Sequence, residues 1–463
     1  MSRLVLRDLA VVVTVDATDT VLRDVSIAVE DGVITEIGRV EARDGDEVLD
    51  GRGRLALPGL VNLHTHLPMT LLRGIAEGVD LQGFLQRVWA AEGAVMDPAT
   101  VELGATLGAL ESLLGGCTTQ LDMYFHHEAA HRGAVAAGAR HVGGPTFFSG
   151  PGPDGLSWDE RMAGLRAWPD VLRETGGPEV PVAAMPHATY TNSVEHLAEV
   201  ASVLRELTPT GVLHTHASEN AAENTDLLDR VGATPTELLA RAGWLRPRFA
   251  GDDREHGEDG EDGERVVPRV VLGHGVHLTD DDRATAAAAG ATVAHCPASN
   301  LKLASGALDW QRWRADGIRL GIGTDGCASS NDLDMWQAMR QAAHLAALTS
   351  GHPEVDAAQV LRAATIDGAT ALGLDGLVGS LEVGKRADLA LLDLDQPHLT
   401  PVHDVPALLV HAAGRGDVTD VLVDGIIVVR ERRSTQVDTP ELLDRCRARA
   451  REAATAAHEV EEA

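Results

Sequence analysis

GLVNLHTH (59–66) is an apolar run of strand length that ends on two histidines one residue apart. On a strand, residues i and i+2 point to the same side. His64 and His66 therefore aim two imidazoles at one point, which is half of a coordination shell for a metal. Seven further runs of this kind follow at helix-length intervals: CTTQLDMY (117–124), HVGGPTFF (141–148), VPVAAMPHA (180–188), GVLHTHAS (211–218), RVVLGHGV (269–276), ATVAHCPAS (291–299) and RLGIGTDG (319–326). Ala/Leu-rich stretches separate them. Eight short apolar runs alternating with helices are what an α/β fold of the (β/α)8 barrel type requires, and residues 58–370 are assigned to it. That span exceeds the roughly 250 residues typical of the fold, so insertions are expected. One is GDDREHGEDGEDGER (251–265), which has no apolar residue and reads as a solvated, mobile loop.

Outside this region the pattern changes. LVLRDLAVVVTV, SIAVEDGVITEIG and EVLDGRGRLALP before it, and ADLALLDLD and VTDVLVDGIIVV after it, read as strands joined by Asp/Gly turns. Neither end alone has enough strands to bury a face. Residues 1–57 and 371–435 are therefore expected to pack together as a small β-sandwich domain, and 436–463 to form a C-terminal helix.

Composition narrows the function. The 463 residues are 44% hydrophobic but only 3% aromatic, so Ala, Val and Leu must fill a large core. A formal net charge of −31 with no basic stripe repels polyanions, which excludes nucleic acid and anionic membrane surfaces as partners. Cys117, Cys296, Cys327 and Cys446 are scattered with no CxxC pair, as in a reducing compartment. The run Leu9 to Val15 is too short to span a bilayer and is bracketed by Asp8 and Asp16, so it reads as a strand and not a signal peptide. A cytoplasmic protein acting on a small molecule, with a homo-oligomeric state, is expected.

Five chemically active groups lie at the ends of these runs: His64, His66, His216, His274 and Asp325. In a parallel barrel the C-terminal strand ends converge on one mouth, so residues distant in sequence meet there. Any one of these histidines could be an ordinary core group bonded to a carbonyl; the set in this order points to a metal and proton-transfer centre. His214 shares a face with His216. The latter is preferred as the metal-facing group because Glu219 follows it closely, and His214 is expected to stand behind.

The stretches PGLVNLHTHLPMTLLRG, HTHASE, LGHGVHL, HCPASNLKL and GIGTDGCASSN resemble the mononuclear deaminase branch of the amidohydrolase superfamily, near its S-adenosylhomocysteine, 5′-methylthioadenosine and adenosine deaminases. The resemblance covers essentially the whole chain, including GSLEVGKRADLALLDLD. It implies one divalent ion per chain, zinc first and iron or manganese after it, held by His64, His66, His216 and Asp325. It further implies that Asp325 acts as base, that His274 orients the attacking hydroxide, and that Glu219 binds the substrate and protonates its ring nitrogen. No lysine occupies a strand end suited to a carbamylated bridge, so a second metal is not indicated. Glu92, in Trp89-Ala90-Ala91-Glu92, matches the family's ribose-binding glutamate, although the family's proline is absent. His187 in MPHATY matches its substrate-contacting histidine, and Phe84 stands where the family has tryptophan. The implied reaction converts a 6-aminopurine nucleoside to its inosine analogue plus ammonia. Hydrolysis of another aminated heterocycle (8-oxoguanine, guanine, cytosine or a triazine) is the alternative.

Two readings from other classes remain open at this level. His127, Glu128 and His131 spell the H-E-x-x-H of zinc proteases, whose histidines share a helix face. A non-catalytic binding module is the other, but it has little use for a metal shell together with Glu219. PGPDG (151–155) adds a rigid loop at the mouth of the third strand.

Overall fold

The computed structural model describes residues 3–79, 81–247, 268–353 and 356–461. The acidic stretch 251–265 lies outside the described residues. Strands β1 (Leu4–Val13), β2 (Val21–Glu30), β3 (Val33–Gly38), β4 (Glu47–Asp50) and β5 (Arg54–Pro58) open the chain. The middle region carries β6 (Leu60–His66), β7 (Cys117–Asp122), β8 (Arg140–Gly143), β9 (Thr146–Phe147), β10 (Ala183–Pro186), β11 (Val212–Ala217), β12 (Arg269–His274), β13 (Thr292–His295), β14 (Arg319–Ile322) and β15 (Asp325–Gly326). Strands β16 (Leu389–Asp393), β17 (Val418–Val423), β18 (Ile426–Arg430) and β19 (Arg433–Ser434) follow, and the helix Thr439–Glu461 comes last.

Every run expected as a strand in the middle region contains one. The strands pair in parallel as two sheets, β15-β6-β7-β8 and β14-β13-β12-β11-β10-β9. All seven residues of β6 are buried, as expected of a parallel strand covered on both faces. Two of the expected runs are each broken in two. The third breaks at Gly144 and Pro145. Pro145 has no N–H for a ladder, and a Cβ at Gly144 would sit 2.0 Å from the Ala183 carbonyl oxygen. The eighth breaks between Ile322 and Asp325, where Gly323 N donates to His295 O (2.9 Å) and Thr324 N to His64 O (3.1 Å). The chain thereby changes neighbour from β13 to β6.

The two ends of the chain share one nine-stranded sheet, because β5 pairs antiparallel with β16. This sheet meets the parallel strands at their N-terminal ends. Gly59 N donates to Asp388 O (3.0 Å). Arg140, fully buried at the start of β8, forks onto Asp388 at 2.9 and 3.0 Å and also donates to Glu179 O.

The helix Leu81–Val95 places Phe84, Val88 and Glu92 four residues apart on one face, and all three are buried. Phe84 and Val88 pack with Leu303 and with Ala453 of the last helix, which fixes the helix over the C-terminal ends of the strands. Among the described residues no helix is long and apolar enough to cross a membrane.

Candidate active site

His64, His66, His214, His216, His274 and Asp325 come together at the C-terminal ends of β6, β11 and β12 and at β15. Register explains the meeting: Asp325 pairs with Thr65, between the two β6 histidines, and His274 pairs with Ala217, next to His216. His274 (φ 67°), Asp325 (φ 60°) and Ser218 (φ 51°) all adopt the left-handed backbone region, which costs a non-glycine residue energy and is found where a site requires it.

Hydrogen bonding settles which ring nitrogens face inward. His66 Nδ1 donates to Met123 O (2.6 Å) and His216 Nδ1 to His187 O (2.7 Å), since carbonyls only accept. His214 Nδ1 donates to Val271 O (2.9 Å), so its Nε2 accepts from His64 Nδ1 at 2.7 Å. His64 Nε2 is then a bare electron pair, and it has no hydrogen-bond partner among the described residues. His66 Nε2 and His216 Nε2 face each other at 3.3 Å, and Asp325 Oδ1 lies 3.2 Å from His66 Nε2 and 3.5 Å from His64 Nε2. Electron pairs converging in this way require a positive charge among them. A proton on His66 supplies one, since the Asp325 carboxylate outweighs burial and raises that imidazole to about 9. A divalent cation supplies a larger one, and three imidazoles with one carboxylate are a donor set that suits it. Burial takes His64 down to about 4 and His216 well below its usual range, so both are held in the neutral form that a metal needs. His64, His216 and His274, and separately His64, His66 and Asp325, have ligand atoms within 4.8 Å of one another.

Asp325 is itself oriented. Ser299 Oγ (2.6 Å) and Ser329 Oγ (2.7 Å) donate to its Oδ2, and Gly326 N (2.8 Å) to its Oδ1. Burial opposes its charge, yet the contacts with His64 and His66 hold the carboxyl well below the usual range. His274 Nδ1 is 2.9 Å from Asn300 Oδ1. Sequence reasoning did not single out Ser299, Asn300 or Ser329, although all three lie inside the quoted HCPASNLKL and GIGTDGCASSN.

His66, His216, His274 and Asp325 line a cavity of about 620 Å3, counting its open mouth, together with Glu219, Glu92 and His187. The Glu219 carboxylate is 3.8 Å from His274 Nε2, and burial raises its pKa. Its backbone N–H donates to Glu223 Oε2 at 2.8 Å, which ties the loop after β11 to the next helix. Glu92 Oε1 accepts from Tyr124 Oη at 2.6 Å, while its Oε2 has no partner among the described residues. His187 stacks on Phe148 at 4.9 Å, with Trp89 at 6.1 Å on its edge.

The H-E-x-x-H residues lie elsewhere. His127 and His131 pack edge-on against Trp168, His131 Nδ1 is 3.0 Å from His141 Nδ1, and Glu128 is exposed. Burial lowers both histidines to about 3, and neither belongs to a metal-competent group among the described residues. His131 is a core histidine, and His127 is half-buried against Trp168. The Asp154 of PGPDG is engaged in a buried fork with Arg161.

The model of the Amidohydrolase family matches residues 55–428. The chain belongs to the amidohydrolase family. This amidohydrolase is 37% identical over 94% of its length, and 95% of the relative's, to a 5-methylthioadenosine/S-adenosylhomocysteine deaminase of Halobacterium salinarum. It is 34% identical to a 5′-deoxyadenosine deaminase of Methanosarcina mazei, covering 96% of each chain. A solved adenosine deaminase of Xanthomonas campestris with bound zinc superposes with a TM-score of 0.88 at 34% identity, covering 98% of this chain and 99% of that one.

Proposed function

We propose that this amidohydrolase is a metal-dependent deaminase that converts a 6-aminopurine nucleoside to its inosine analogue plus ammonia. The observation that carries the reading is the shared cavity, lined by His66, His216 and Asp325 of the metal-competent cluster, by Glu219 and by the buried carboxylate of Glu92. The names of the relatives, all adenosine-derivative deaminases, support it.

One ion per chain, zinc by analogy with the Xanthomonas structure, is held in this reading by His64, His66, His216 and Asp325, with His214 fixing the proton of His64. A divalent ion there supplies the Lewis acidity that makes hydroxide available near neutral pH. The protein's own groups do the rest. Asp325, aimed by Ser299 and Ser329, accepts the proton of the attacking water. His274, braced by Asn300, orients that water. Glu219, whose carboxyl pKa burial raises, delivers a proton to a ring nitrogen of the purine so that the adjacent carbon accepts attack, and the proton taken up by Asp325 passes to the amino group, which leaves as ammonia. A placed acid of this kind contributes roughly 10²–10⁴ in rate. Glu92 accepts hydrogen bonds from the ribose hydroxyls, and His187, which lines the same cavity, contacts the nucleoside.

The domain assignment follows the same reading. In this reading residues 58–370 are one (β/α)8 barrel, which is supported by β8 with β9, and β14 with β15, being halves of single runs whose parts lie in the two parallel sheets. In the same reading residues 1–57 and 371–435 are one β domain, a sandwich if the nine-stranded sheet folds back on itself, supported by a private cluster of Leu6, Ile27, Ile34, Leu389 and Leu422. Residues 436–463 form the terminal helix. A cytoplasmic location is supported by four cysteines that are all free and buried.

The test is ammonia release from adenosine, 5′-methylthioadenosine, 2′-deoxyadenosine, adenine, guanine, 8-oxoguanine, cytosine and melamine, for wild type and Glu92→Ala. Adenosine derivatives are expected to lead, and Glu92→Ala to shrink the preference for adenosine over 2′-deoxyadenosine. A free base or triazine winning clearly leaves the metal chemistry standing and removes the nucleoside reading.

A further inference from the structure

The names of the relatives cover nucleosides with very different 5′ groups: a methylthio, a bare methyl and a homocysteine bearing a carboxylate. The cavity is lined by the acids Glu92, Glu219 and Asp325 and by His66, His187, His216 and His274, and no lysine or arginine lines it among the described residues. The remaining wall is largely apolar, with Met69, Phe84, Leu85, Val88, Phe125 and Leu303.

Among the described residues Arg161 and Lys302 stand close by and each already faces a carboxylate, while Arg87, beside Val88 in sequence, donates to Glu77 O at 3.3 Å. Arg161 lies behind Phe148, with its guanidinium 5.4 Å from that ring. It forks onto Asp154 and donates to Thr146 O at 2.8 Å. Lys302, next to Leu303, is bonded at 2.8 Å to both Glu77 Oε1 and Asn331 Oδ1. A carboxylate brought into this cavity therefore loses its water and gains no partner, which is the costly way to bury a charge. The ammonium of a homocysteine tail finds only carboxylates that the substrate ring and ribose already engage. An apolar 5′ group, by contrast, exchanges water for the apolar wall.

We infer that the enzyme takes 6-aminopurine nucleosides whose 5′ substituent is uncharged, apolar ones best, and rejects S-adenosylhomocysteine. This rests on the deaminase reading above and divides the substrates which that reading leaves together.

The experiment measures kcat/KM for 5′-methylthioadenosine, 5′-deoxyadenosine, adenosine, S-adenosylhomocysteine and 5′-butylthioadenosine, the last matching the homocysteine tail in length without its charges. The first three and the butylthio compound are expected to be deaminated, with S-adenosylhomocysteine about 50-fold or more below the butylthio compound. A gap of less than tenfold between those two overturns the inference. So does equal rejection of both, which would make length the discriminator. Failure of every compound to release ammonia strikes the deaminase reading itself and is distinct from either result.

Discussion

Replacing Tyr124 with phenylalanine deletes one hydroxyl at the ribose end of the cavity and leaves its shape unchanged. That hydroxyl donates to Glu92 Oε1 at 2.6 Å, and both side chains are buried. Burial raises the Glu92 carboxyl to about 7, while the Tyr124 hydroxyl and the charge of His66 pull the other way. A hydrogen bond to an ionised acceptor is worth about 1.5–3 kcal/mol, and one pKa unit is 1.36 kcal/mol, so the variant's carboxyl moves to about 8–9. The sign follows from which form works. The ionised carboxylate accepts both ribose hydroxyls, so ribose recognition strengthens as pH rises through about 7 in the wild type and through about 8–9 in the variant. At pH 7 the ionised fraction falls from about one half to about one tenth or less, and the preference for adenosine over 2′-deoxyadenosine falls about fivefold or more. The assay is the ratio of kcat/KM for the two nucleosides from pH 6 to 9.5. Titrations of the metal centre cancel in that ratio because both substrates share it. A ratio whose pH midpoint stays in place, or a preference that does not return at high pH, refutes the role given to Tyr124.

Purified protein should contain about one tightly held divalent ion per chain by elemental analysis, and His66→Ala or Asp325→Ala should lose it; two ions per chain would overturn the mononuclear assignment. Glu219→Gln should retain the ion while turnover drops roughly 10²-fold or more; loss of metal with turnover per bound ion unchanged would mean that the roles are wrong. Arg140→Met leaves the Asp388 carboxylate buried without its partner, and urea denaturation should show a loss of about 3–5 kcal/mol. A loss below about 1 kcal/mol would mean that water reaches Asp388.

Much of the site was legible because its chemistry sits at strand ends, where an apolar run stops on a polar residue. His66, His216, His274 and Asp325 all mark such ends. The groups that aim them were harder to read. Ser299, Asn300 and Ser329 are common polar residues in turns, and nothing in their spacing says that one hydroxyl or amide faces a carboxylate rather than water. The breaks in the third and eighth runs were missed for a similar reason. Gly144-Pro145 lies within an otherwise strand-like sequence, and the change of neighbour is a tertiary event that period-2 reading cannot register. The H-E-x-x-H segment shows the converse. Its helical spacing is real, but the face it presents is turned to Trp168 and His141, and neither histidine joins the metal-competent groups among the described residues.

The pairing of β5 with β16 has a consequence for synthesis. Pro58 and Leu389, partners in that ladder, are 389 − 58 = 331 residues apart. At about 5–20 residues per second, ribosomal synthesis of that stretch takes on the order of 17–66 s. Throughout that interval β5 has β1 on one side and an open, apolar edge on the other, a template for pairing with any neighbouring chain. The nascent protein thus passes through an aggregation-prone window after its first five strands exist and before the closing strand leaves the ribosome. A chain ended at residue 380 would retain every residue of the catalytic cluster and never leave that window, so it should collect in inclusion bodies with its chemistry intact on paper only.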